Sequence, residues 1–137
     1  MGWGLKLPQE NTSRMGISKG RDVAETVRQA IALAGGLERL VSPGSRVLIK
    51  PNLSVALPAR MGVTTNPRVV TALIWLVCEA GAKEVLVGES AVVGFDAGVI
   101  FDTLKVRELF EKAGARVVNL DQDSVVEVKI PRGEVLK

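Results

Sequence analysis

A chain of 137 residues, 47% hydrophobic and 24% charged, has the size and composition of a single folded domain. A net charge of +3, 4% aromatic residues and no run of lysine or arginine argue against a nucleic-acid partner, because neither a basic stripe nor stacking platforms stand out. With no histidine and one cysteine, Cys78, the chain holds no Ser-His-Asp triad, no Cys-His pair, no histidine-ligated zinc, no internal disulfide and no iron–sulfur cluster of its own.

Residues 1–18 are rich in glycine, polar groups and turn formers. They read as a poorly defined leader, or as an edge strand around Gly16–Ile17, and residues 19–137 as one α/β domain. The start lacks the basic end and apolar segment of a signal peptide, and no run approaches the ~18 apolar residues that span a membrane. No membrane partner is expected, and the cytoplasm is the expected compartment.

Asp22 to Ala34 has helical spacing, with Val23, Val27, Ala30, Ile31 and Ala34 on one face. Asp22 suits the N-cap and Glu25 stands at the capping-box position. "AGG" at 34–36 ends the helix, Leu37–Val41 adds a short turn, and "SPGS" at 42–45 is a turn. "RVLIK", 46–50, has the continuous apolar middle of a strand buried on both faces of a parallel sheet. A second helix starts at Asn66–Pro67, a good cap followed by proline at the first helical position. It runs to about Ala80, stops at Gly81, and is apolar nearly all round, which predicts deep packing. Cys78 within it reads as a small buried hydrophobe.

"EVLVGE", 84–89, is the second strand. A third helix is expected from Asp102 or Thr103 to Ala113, with Val106, Leu109, Phe110 and Ala113 inward. "RVVNL", 116–120, is the third strand, and the alternating "VVEVKI", 125–130, reads as a fourth at a sheet edge. "EAGAKEVLV" at 79–87 and "KAGARVVNL" at 112–120 echo each other at an offset of 33 residues, as regular α/β winding would produce. The alternation predicts an α/β fold: a three-layer α/β/α sandwich with a mostly parallel sheet, like half of a Rossmann fold.

In such sheets ligands bind beyond the carboxyl ends of the strands. Two connections longer than usual leave those ends, at 51–65 and 90–102. Lys50 and Asn52 stand at the mouth of the first strand, and Glu89 and Ser90 at the mouth of the second. Thr64, Thr65 and Asn66 stand at a helix N-terminus, where amides and the dipole attract anions. Lys50 and Glu89 are the candidate catalytic pair, with Asn52, Thr64, Thr65, Asn66 and Ser90 binding a carboxylate or phosphate. Each has a plainer role beside this one. Lys50 would snorkel, Asn52 would form a turn, Thr65 or Asn66 would cap the helix, and Glu89 would be a solvated carboxylate. "GESAVVG", 88–94, is neither a P-loop nor a dinucleotide fingerprint. Asp121 and Asp123 read as turn residues rather than metal ligands.

"VLIKPNL" at 47–53, "GVTTNPRVVTALIWLVCEAGAKEVLVGES" at 62–90 and "LFEKAGARVVNLD" at 109–121 resemble the N-terminal part of the domain of unknown function 362 family. The resemblance covers about 22–130. It implies an uncharacterised prokaryotic protein, in a family where many members carry ferredoxin-type cysteine clusters. Cys78 does not supply one, so any iron–sulfur group would sit on a partner or on a further part of the chain. The family pattern continues past "IPRGEVLK", which implies a fragment of a longer domain and a missing C-terminal half as partner. The leading expectation is a small-anion-binding domain forming part of an enzyme, its cofactor unknown. The alternatives are a module associated with an iron–sulfur redox protein, and a non-catalytic interaction domain, as a homodimer, using the apolar second helix around Trp75.

Overall fold

The computed structural model describes residues 13–129 and 131. Its elements are α1 (Val23–Ala34), β1 (Arg46–Ile49), α2 (Pro67–Glu79), β2 (Glu84–Glu89), α3 (Ala97–Thr103), α4 (Val106–Lys112) and β3 (Ala115–Asn119). Short 3-10 turns occupy Ala59–Met61 and Leu120–Gln122. The three strands form one parallel sheet in the order β1-β2-β3. Arg46 lies opposite Glu84 and Ile49 opposite Val87, while β2 runs on to pair Gly88 and Glu89 with Val118 and Asn119. The fold is α/β, as the alternation of elements predicts.

Helix boundaries follow local chemistry. The Asp22 side chain accepts from the Glu25 amide at 2.8 Å, and α1 ends at Gly35, whose φ of 116° suits a residue without a Cβ. The capping box is half made, because the Glu25 carboxylate accepts from the Gln29 side chain instead. Asn66 caps α2 by accepting from the Arg68 amide at 3.0 Å, with Pro67 at the first position. The expected third helix is two helices. The chain breaks at Leu104–Lys105, and Lys105 takes a left-handed conformation with φ 54°. Part of the 90–102 connection is therefore α3.

Val70, Ile74 and Val77 of α2 join Ile49 of β1, Val85 and Val87 of β2, Ala115 of β3, Phe101 of α3 and Phe110 of α4 in one core. A sheet ordered β1-β2-β3 with right-handed crossovers carries its connecting helices on one face. Here α2 and α4 touch each other, and α1 packs on α2. Among the described residues the other sheet face has no helical layer, so two of the three expected layers are present. Leu48 is consequently 51% exposed, and β1 is not buried on both faces. Arg46, Glu84 and Arg116 form ion pairs on that face.

Three further expectations give way. Residues 125–129 form no strand, and Val125, Val126 and Val128 are exposed; Ile130 lies outside the described residues. A 3-10 turn at Leu120–Gln122 follows β3 directly, and the five residues from 120 to 124 are too few for a parallel crossover. Residues 16–17 form no edge strand, because this stretch lies against α1: a Cβ on Gly16 would collide with the Ala30 carbonyl oxygen. The rest of the leader, 1–12, lies outside the described residues. Cys78 is exposed, on the side of α2 that also carries the 47%-exposed Trp75 and faces away from the sheet.

Candidate functional site

Because the strands are parallel, all three carboxyl ends open at one edge of the sheet. Glu89 closes β2 there. It is the last residue of a strand whose neighbours are apolar, and it is 1% exposed. A buried carboxylate needs partners. Its Oε1 accepts from the Ser90 amide at 3.0 Å and pairs with Lys50 Nζ at 2.5 Å. Its Oε2 accepts from the Leu53 amide at 3.1 Å. Glu89 thus binds the first turn of both long connections and the lysine between them. Leu53 is fully buried beside it. The solvated carboxylate read as the plainer role of Glu89 is not what forms.

Lys50 follows β1 and its side chain is 58% exposed. Its ammonium carries three donors, one of them engaged by Glu89. Ser90 is exposed beside Glu89. These three residues stand together at the mouths of β1 and β2.

The remaining candidates build the loop. The Asn52 amide donates to Thr65 Oγ1 at 3.0 Å, and the Thr65 amide donates to the Asn52 carbonyl at 2.9 Å. The Asn52 side chain donates to the Val63 carbonyl and accepts from the Ser54 hydroxyl. Residues 52 and 65 are thereby latched, and the connection between them is pinched into a compact excursion. Thr64 is buried, its hydroxyl 3.5 Å from the Val55 carbonyl. Asn66 caps α2, and the next amides, of Val69 and Val70, donate to its carbonyl. Pro67 has no N–H, so the first turn of α2 already has its amides engaged.

The second connection is held by aspartates. Asp121 accepts from the Ala91 amide through both oxygens, at 3.1 and 3.2 Å, and from the Ala97 amide at 2.9 Å. Asp96 caps α3 through the Val99 amide and accepts from the side chains of Asn119 and Gln122. The Val99 N–H, then the Asn119 amide, hold the Asp96 carboxyl below the usual aspartate value. The two connections touch where the Val92 amide donates to the Ser54 carbonyl at 3.4 Å. Sequence reasoning missed the clamping roles of Asp96, Asn119 and Asp121, since they join segments 23 to 30 residues apart. No local pattern encodes those contacts.

Among the described residues no group of three or more Cys, Asp or Glu could hold a metal ion. None of the helices described is long and apolar enough to cross a membrane.

A protein of Synechocystis sp. (strain ATCC 27184 / PCC 6803 / Kazusa) titled a thylakoid-associated protein is 39% identical to this chain over 74 residues. The aligned stretch is 54% of this chain and 23% of that protein, so the chain matches less than a quarter of the relative's length. No solved structure matches. The profile of a family described as a domain of unknown function matches residues 47–137, from the start of β1 onward and over more than half of the chain. The site of Lys50 and Glu89 lies within that match, and the chain belongs to this family, DUF362.

Proposed function

We propose that the domain binds a small anion, a carboxylate or a phosphate, at the carboxyl ends of β1 and β2, as part of an enzyme. The observation that carries this reading is the Lys50–Glu89 pair: an exposed ammonium anchored by a buried carboxylate. The anchor fixes the cation at the edge of the sheet where α/β proteins place ligands. Lys50 supplies the charge and Ser90 a hydroxyl. Glu89 acts through Lys50 and the loops, since both of its oxygens are already engaged. The engaged amides of α2 make no contribution, so the threonines and Asn66 shape the site rather than line it. We read the protein as cytoplasmic; the thylakoid association is a property printed for the relative.

Titration calorimetry with inorganic phosphate and acetate tests this. Lys50→Ala should weaken binding about tenfold or more, the scale of a lost charge-assisted contact, while Lys50→Arg keeps most of it. Equal binding by wild type and Lys50→Ala, with a lower melting temperature in the variant, would make Lys50 purely structural. A second reading, an interaction domain without chemistry, draws on the sheet face that leaves Leu48 half exposed. A dimer that persists on dilution and ignores every anion would favour it.

A further inference from the structure

We infer that the anion held at Lys50 carries an apolar body, so that the ligand is an amphiphilic phosphate or carboxylate; this rests on the anion site proposed above. Three observations converge. The two connections that border Lys50 expose Leu57 (39%), Met61 (58%), Val63 (44%), Val92 (50%), Val93 (98%) and Phe95 (63%). Single exposed hydrophobes are ordinary, but six in two touching loops at a ligand-binding edge are not.

The polar side chains of the same loops are turned to internal use. Asn52, Ser54 and Thr65 hydrogen-bond within the first loop, and Asp96, at the end of the second, accepts from the Val99 amide and the side chains of Asn119 and Gln122. Little is left to satisfy a ligand rich in hydroxyls, such as a sugar phosphate, which would lose water without regaining hydrogen bonds.

The charge also fits. Residues 51–65 and 90–96 contain two charged side chains, Arg60 and Asp96, and the Asp96 carboxylate is engaged by the Val99 amide and the side chains of Asn119 and Gln122. Lys50 and the exposed Arg60 of the first connection are therefore the positive groups of this region beside apolar surface, which matches an anionic head joined to a hydrocarbon body.

A series of monomeric alkyl phosphates tests the idea: inorganic phosphate, butyl phosphate and hexyl phosphate, titrated into wild type, Lys50→Ala and the Val93→Ser/Phe95→Ser double variant. Full burial of a methylene is worth about fourfold in affinity, and a half-open rim should recover part of that, giving hexyl phosphate about tenfold or more over inorganic phosphate. The double variant should lose this gain while binding inorganic phosphate as wild type does. Lys50→Ala should weaken every member of the series. If all three phosphates bind equally, and through Lys50, the apolar body is refuted and the anion site stands. If hexyl phosphate binds as well to Lys50→Ala as to wild type, or only phosphatidylglycerol vesicles capture the protein, the inference fails. If nothing binds, the anion site fails with it.

Discussion

At the scale of single residues, Glu89 decides how the site is built. Its carboxylate is 1% exposed and gathers the Leu53 amide, the Ser90 amide and Lys50. Glu89→Gln keeps the size but turns an NH2 group toward donors. One backbone N–H or the lysine is then left facing another donor in a buried place. The expected cost is about 2–4 kcal/mol, within the range for breaking a buried charged hydrogen-bond group. Chemical denaturation measures it, and hydrogen exchange at the Leu53 and Ser90 amides should accelerate together. A loss below about 0.5 kcal/mol would mean that water replaces the carboxylate and that Glu89 does not organise the loops. Lys50, exposed on the outer side of the same pair, should matter more to binding than to folding.

Among the elements, the connection between β2 and α3 depends on Asp96 at its end and on Asp121, which reaches from beyond β3 to the amides of Ala91 and Ala97. Asp96 is held below its ordinary value of 3.8 by the Val99 amide first and the Asn119 side chain next. Glu84 is held below 4.5 by Arg46 first and Arg116 next. A folded-state value below the unfolded one contributes stability that is fully present above the unfolded value. That contribution disappears as pH falls through the lower, folded value. The melting temperature should therefore be flat toward neutral pH with respect to these groups and should fall as the solution is acidified past about 4. Asp96→Asn should show a lower melting temperature at pH 7 and a shallower acid limb. Parallel limbs for variant and wild type would show that the α3 cap carries none of the pH dependence. The caps themselves were readable: Asp22 and Asn66 sit where Ser/Thr/Asn/Asp logic puts them. The break at Lys105 was not, because the pattern Val106-Leu109-Phe110 continues smoothly backward in sequence while the chain turns through a left-handed residue.

On the scale of the molecule, the sheet is covered on one side. α2 and α4 bury Val85, Val87 and Ala115, and the opposite face shows Leu48 with the Arg46–Glu84–Arg116 ion pairs. Leu48 and Leu120 lean over Gly88, where a Cβ would come within 3.0 Å of Leu48 and 3.2 Å of Leu120. The two faces should respond very differently to truncation. Ile74→Ala, in the fully buried α2 face, should cost about 2–5 kcal/mol, whereas Leu48→Ala should cost about 1 kcal/mol or less. Urea unfolding at two protein concentrations checks both. A Leu48→Ala loss as large as that of Ile74→Ala, growing with protein concentration, would show that a second copy covers this face.

The sequence by itself determined the elements whose signals are local. Helical spacing, caps, the proline at the start of α2 and the apolar strand cores located α1, α2, β1, β2 and β3, and the long connections pointed to the carboxyl edge where Lys50 and Glu89 meet. Only the tertiary structure decided what depends on neighbours distant in sequence. Alternation at 125–129 does not by itself make a strand, since these residues pair with neither open edge of the sheet, and apolar runs in β1 and α2 do not say that both faces are covered. The hydrogen-bond partners of the candidate site residues were decided in the same way. Whether Asn52, Thr65 or Asn66 faces a ligand or its own loop depends on which donors and acceptors the fold brings within about 3 Å of one another, the hydrogen-bonding range. Those partners lie across the fold, and no local pattern names them.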